Sequence, residues 1–148
     1  MAFADSSCGA ARAFPYVMSE SPAVVVLVVE DDVLLRFATA DDLRDHGYCV
    51  IEACTGDEAV SILATRVAVD IVLSDIRMPG SRDGIALARY VKANHPDKRV
   101  ILVSGERPPA DISPDIVEAF FQKPYAAATL MGKIDSVVAG IQRRSNPR

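Results

Sequence analysis

Long apolar runs are missing from this chain of 148 residues: no stretch approaches the ~20 residues needed to span a bilayer. Residues 1–17 mix Ala, Ser, Phe and Arg without the central apolar block of a secretory signal. An excess of positive charge is missing too. Sixteen Lys and Arg stand against 20 Asp and Glu, a net charge of −4, so the footprint that binding to nucleic acid or an anionic membrane usually requires is absent overall. Only the stretch from Gln142 to Arg148 is basic, and residues 143–148 read as a solvated basic tail. Cysteine is scarce. Cys8, Cys49 and Cys54 form no metal-type spacing, and an odd number is a poor basis for a disulfide framework. A reducing cytoplasm is the expected compartment, with Cys49 in a predicted strand and Cys54 at its end, where packing outweighs redox chemistry. No internal repeat or low-complexity tract is visible.

What is present suits one domain. Half of the residues are apolar, enough for a proper core with little left over for a second. Residues 1–22 read as a flexible N-terminal extension, and Met18-Ser19-Glu20-Ser21-Pro22 looks like a natural start. On that reading residues 1–17 are either untranslated or a floppy leader, and 23–142 form the domain.

Within it, strand and helix signals alternate. Val24 to Val29 is a continuous β-branched run, as for a central strand buried on both faces. A helix follows over Val33–His46, with Leu35, Thr39 and Leu43 on one face and Gly47 placed to end it. Strands are predicted over Tyr48–Ala53, Asp70–Ser74, Arg99–Val103 and Ile116–Gln122. Helices are predicted over Gly56–Thr65, Gly84–Asn94 (stopped by His95-Pro96) and Ala126–Gly140. The last carries Leu130, Ile134, Val137 and Ile141 along one stripe. Such alternation predicts an α/β, doubly wound, five-stranded parallel sheet with helices on both faces. In the flavodoxin-like order 2-1-3-4-5, strands one and three are central neighbours, and the carboxyl ends of the strands face one crevice.

The polar residues ending four of those strands are Glu30-Asp31, Asp75, Ser104 and Lys123. Three carboxylates at close range cannot all stay ionised without a counter-charge. Oxygen ligands with no nearby His or Cys select hard Mg²⁺, which also shares phosphate oxygens. Metal would thereby prepare Asp75 as a nucleophile toward a phosphoryl group. Lys123 would neutralise charge on the transferred group and Ser104 would hydrogen-bond it. Each residue also has an ordinary explanation as a cap, strand end, turn or surface lysine. Four strand ends in the right order make coincidence a poor account. Asp32 is the exception, best read as the cap of helix one. His46 and His95, at helix ends beside Gly or Pro, read as capping or solvent-exposed residues rather than phosphodonors.

Val28-Val29-Glu30-Asp31-Asp32, Ser74-Asp75-Ile76-Arg77-Met78-Pro79-Gly80 with Asp83-Gly84, Val103-Ser104-Gly105 and Phe121-Gln122-Lys123-Pro124-Tyr125 resemble the receiver domain of two-component response regulators, the CheY-like family. The resemblance covers roughly Ala23 to Gln142. It implies that Asp75 accepts phosphate from a histidine kinase or histidine phosphotransfer protein, and that Glu30, Asp31, Asp75 and the backbone carbonyl of Arg77 hold Mg²⁺. It further implies Ser104 as switch hydroxyl, a cis Lys123-Pro124 bond and Phe120 as switch aromatic, although packing of an ordinary strand phenylalanine accounts for Phe120 equally well. Arg77 and Glu106, two positions beyond Asp75 and Ser104, would tune access of hydrolytic water. The protein would be a stand-alone switch and not an enzyme beyond self-phosphorylation and autodephosphorylation of Asp75, acting on a downstream protein that the sequence leaves open.

Two departures stand out. The loop Gly80-Ser81-Arg82-Asp83-Gly84 is one residue longer than the commonest receiver pattern. Arg107 to Pro114 places three prolines where the family puts its fourth helix, so a short or irregular segment is expected there. Three alternatives differ in class. A receiver-type module could bind partners without phosphorylation. A metal-dependent phosphohydrolase would want an Asp-x-Asp motif and a cap domain, and both are missing. A flavodoxin-like cofactor binder would have its FMN phosphate repelled by Glu30-Asp31-Asp32.

Overall fold

Five short, mostly apolar runs become five parallel strands in a computed structural model that describes residues 23–145. The expectations for residues 1–22 and the end of the basic tail lie outside the described residues. In chain order the elements are β1 Val25–Val29, α1 Val33–Asp45, β2 Cys49–Ala53, α2 Gly56–Leu63, β3 Ile71–Asp75, α3 Gly84–Asn94, β4 Arg99–Ser104, β5 Ala119–Gln122 and α4 Ala127–Ser145. The sheet order is β2-β1-β3-β4-β5. The expected central pairing is present, with Val29 opposite Ser74, so the ends of β1 and β3 lie side by side.

The alternating side chains of the central strands build two apolar layers. Leu27, Val29, Val72, Val100 and Leu102 pack with Leu63, Leu87 and Val91 on the α2 and α3 side. Val26, Val28, Ile71, Leu73 and Ile101 pack with Leu43, Leu130 and Ile134 on the other. Truncating a fully buried member such as Ile101 or Leu87 to Ala costs about 2–5 kcal/mol.

Several local expectations need correction. The inward face of α1 is Arg36, Thr39, Ala40 and Leu43 rather than Leu35, Thr39 and Leu43, and Leu35 is 47% exposed. Arg36 turns inward because its guanidinium reaches the Glu30 carbonyl and Glu52. β5 starts at Ala119, not Ile116, because Ile116 and Val117 pack on the core from a turn. α4 runs past Gly140 to Ser145, with Ile141 continuing its packed stripe. Arg143 and Arg144 are therefore helical. Cys49 and Cys54 are exposed rather than packed: Cys49 sits on the edge strand β2, and the Cys54 thiol donates to Glu58 Oε2 at 2.9 Å. That hydrogen bond raises the thiol pKa.

Between β4 and β5 the described residues form turns and no helix. The segment is nonetheless anchored. Ile112, Ile116 and Val117 pack on the α2 and α3 side of the core, and Arg89 on α3 reaches Asp111 at 3.3 Å. Apolar side chains on a proline-bearing loop thus cover the sheet where a helix would otherwise lie.

Candidate functional site

Glu30 follows the last residue of β1, and its backbone N–H donates to Ala53 O at 3.1 Å, continuing the ladder with β2. This directs a carboxylate that is only 7% exposed into the crevice. Asp32 then caps α1, its Oδ1 accepting from the Leu34 and Leu35 amides at 2.9 and 3.1 Å. Capping is thus the role of Asp32 in this structure. Asp31, left exposed between them, has no side-chain hydrogen bond or ion pair among the described residues.

Asp75 closes β3 and is 8% exposed. Two backbone approaches fix it. Ile76 N–H donates to Val103 O at 2.9 Å, and α3 abuts so closely that a Cβ on Gly84 would lie 2.2 Å from the Asp75 carbonyl oxygen. Asp75 Oδ1 accepts from the Arg77 amide at 3.1 Å, leaving Oδ2 for Lys123.

Lys123 follows β5, and its N–H donates to Ser104 O at 2.7 Å. The Lys123–Pro124 peptide is cis. Its ammonium bridges Asp75 Oδ2 at 2.7 Å and Glu30 Oε2 at 2.9 Å. Ligand oxygens of Glu30, Asp31 and Asp75 all lie within 4.8 Å of one another. One ammonium among three carboxylates leaves surplus negative charge at the crevice. Burial raises the Glu30 pKa, partly offset by the Lys123 hydrogen bond. Burial pulls Lys123 down, but its hydrogen bonds to Asp75 and Glu30 outweigh this and hold it more firmly cationic. All donors are hard oxygens and one carboxylate is unpartnered, so the residues fit a divalent cation of the Mg²⁺ type.

Ser104 ends β4, 3% exposed, with its Oγ accepting from the Glu106 amide at 3.2 Å. Arg77 reaches Glu106 at 2.6 Å. Phe120 is half-buried among the apolar residues on the α2 and α3 side. An open cleft of about 440 Å³ beside the acidic residues is lined by Asp31, Ile76, Arg77, Met78, Pro79 and Asp83. Sequence reading missed Arg36, whose Nη1 holds the Glu30 carbonyl at 2.9 Å. Its only sequence signal is its place one turn beyond the cap, on the side that α1 turns inward. His46 and His95 are the C-caps of α1 and α3. The His46 ring bonds Asp135, away from the acidic cluster.

This geometry is that of a receiver. The response regulator receiver domain family model matches residues 26–135, and the chain belongs to that family. The sensor kinase CckA of Brucella abortus is 37% identical over 114 residues, 74% of this chain and 12% of that protein. The C4-dicarboxylate transport transcriptional regulatory protein DctD of Rhizobium meliloti is 40% identical over 121 residues, 77% of this chain and 25% of that protein. The chain thus spans a quarter or less of these two relatives. Among solved structures, a CheY-like receiver domain from Methanospirillum hungatei superposes with a TM-score of 0.77 at 22% identity, covering 83% of this chain and 99% of that one. Response regulator TrrA from Thermotoga maritima, in complex with Mg²⁺-BeF, gives 0.69 at 25% identity, covering 76% and 97%. The trio Glu30, Asp31 and Asp75 is typical of the Mg²⁺ and phosphoryl-aspartate site of receivers.

Proposed function

We propose that the chain is the phosphoacceptor switch of a two-component phosphorelay, taking a phosphoryl group from a histidine kinase or histidine phosphotransfer protein onto Asp75. The observation that carries this is the Lys123 ammonium held between Asp75 and Glu30 while Asp31 stands unpartnered beside them. Glu30, Asp31, Asp75 and the Arg77 carbonyl would hold Mg²⁺, which when bound shields the carboxylates and neutralises phosphoryl oxygens.

The Arg77 amide, bonded to Asp75 Oδ1, orients the carboxylate. Attack by a carboxylate oxygen on phosphorus forms the acyl phosphate as the bond from phosphorus to the donor's imidazole nitrogen breaks, and the imidazole leaves with that electron pair. Lys123 then exchanges a carboxylate oxygen for a phosphoryl oxygen, and the Ser104 hydroxyl turns from the Glu106 amide toward the new group. These movements at the ends of β4 and β5 are the switch, with Phe120 the aromatic that answers it. The downstream partner reads a surface made of residues 107–116 and α4. No described helix is long and apolar enough to cross a membrane, and the net charge of −4 favours a protein partner over nucleic acid or an anionic lipid surface.

A ¹H–¹⁵N spectrum with Mg²⁺ and beryllofluoride tests the reading. Shifts at Asp75, Ser104 and Lys123 that require both additives and vanish in Asp75→Ala are expected. An unchanged spectrum would contradict it.

A further inference from the structure

The loop joining β3 to α3 is held from outside the acceptor crevice. Asp57 lies in the first turn of α2, two residues after the cap Thr55. The Ser81 hydroxyl sits 2.9 and 2.8 Å from the two oxygens of its carboxylate, and Arg82 Nε lies 3.3 Å from Oδ1. The backbones are close as well. A Cβ on Gly56 would come within 2.7 Å of the Arg82 carbonyl oxygen, and Gly80 turns the chain there with φ +103°. The Arg82 guanidinium then lies over the Tyr90 ring, 5.1 Å from its centroid. Ser81 and Arg82, in the stretch that makes this loop longer than usual, are thus drawn toward α2.

The same loop meets the acceptor at both of its ends. Arg77 donates its amide to Asp75 Oδ1, and Asp83 caps α3, whose first residue Gly84 packs on the Asp75 backbone. A tether at Ser81 and Arg82 therefore restricts the backbone on both sides of the crevice.

We propose that Asp57 is a positioning residue for the acceptor site, setting the conformation of residues 77–83 and so the place at which the Arg77 carbonyl is offered to a divalent cation. This rests on the reading of the crevice as a Mg²⁺ and phosphoryl site. Exposed contacts such as these add little to global stability. A purely structural clamp would show a small change in melting temperature and no change in metal affinity.

The test is a ¹H–¹⁵N titration of the full chain with Mg²⁺, run on wild type, Asp57→Ala, Asp57→Asn and Ser81→Ala, with melting temperatures alongside. The Arg77 and Met78 amides should shift in metal-free Asp57→Ala. Its Mg²⁺ dissociation constant should rise about three- to tenfold, below the 10–100-fold typical of groups that touch a ligand directly. Asp57→Asn keeps an acceptor for Ser81 and should recover part of the affinity. Equal affinity in folded Asp57→Ala and wild type would overturn the proposal. If Asp57→Ala does not melt cooperatively, Ser81→Ala decides: weakened binding supports the role and wild-type affinity overturns it. A wild type that itself binds no Mg²⁺ contradicts the reading of the crevice, an outcome distinct from variants that bind as wild type does.

Discussion

Arg77 Nη2 lies 2.6 Å from Glu106 Oε2, tying the loop after β3 to the loop after β4 two residues beyond Asp75 and two beyond Ser104. The side chains are 74% and 63% exposed, so the pair is worth at most about 1 kcal/mol. As a partial lid over a phosphoryl group it would act on the water that hydrolyses the acyl phosphate. Arg77→Ala should speed autodephosphorylation by up to about fivefold, while uptake from a small phosphodonor stays within about twofold. Decay of ³²P-labelled protein and initial labelling rates measure the two, and equal effects on both would argue against a lid.

Gly84 has no space for a side chain, because its Cβ would meet the Asp75 carbonyl oxygen at 2.2 Å. Gly84→Ala should destabilise the fold by about 1–3 kcal/mol in urea denaturation and lower phosphorylation of Asp75 as α3 is pushed from it. Among the described residues nothing beyond its own helix turn lies within 4 Å of a Cβ on Gly132 in α4. Gly132→Ala should be neutral, or stabilising by up to about 1 kcal/mol, with labelling unchanged.

Asp135 on α4 accepts from the Tyr48 hydroxyl and bonds the His46 ring, joining α4 to the turn after α1. The Tyr48 and His46 hydrogen bonds lower its carboxyl pKa. A carboxylate lowered in the folded state contributes stability that is present above its unfolded value and lost as pH falls through the folded one. The melting-temperature advantage of wild type over Asp135→Ala should therefore be small and shrink as pH falls below about 4. A difference that grows below that pH would contradict the assignment.

The segment 107–116 should report activation. With turns in place of a helix and Ile112 and Ile116 half-buried against the α2 and α3 side, the proposed changes at Ser104 and Phe120 would reach it along β4 and β5. Amide hydrogen exchange with and without Mg²⁺ and beryllofluoride should show altered protection in 107–116 and in α4. If both stay unchanged, the output surface lies elsewhere.

The sheet and the acidic crevice were legible because buried parallel strands are written as continuous apolar runs, and each polar residue that ends one must emerge at the same edge. Glu30, Asp75, Ser104 and Lys123 could be placed without knowing any side-chain contact. The inward face of α1 was harder to read. Arg36 there outranks Leu35 because a guanidinium can satisfy the Glu30 carbonyl and Glu52 together, a gain that hydrophobic periodicity does not register. Cys49 is exposed because β2 is an edge strand, with pairing only to β1, and Cys54 lies just beyond the end of that strand. Three prolines marked the stretch after β4 as irregular, yet its course is set by where Ile112, Ile116 and Val117 reach the core. The contact of Asp57 with Ser81 joins residues 24 positions apart and has no local signature.

The most direct test of Asp75 as the acceptor is intact-mass spectrometry of wild type and Asp75→Ala after incubation with Mg²⁺ and acetyl phosphate or phosphoramidate. One added phosphoryl group on wild type alone, abolished by chelating the Mg²⁺, is the expected result. Folded wild type that takes up no phosphoryl group, or an Asp75→Ala variant labelled to the same extent, would contradict the account.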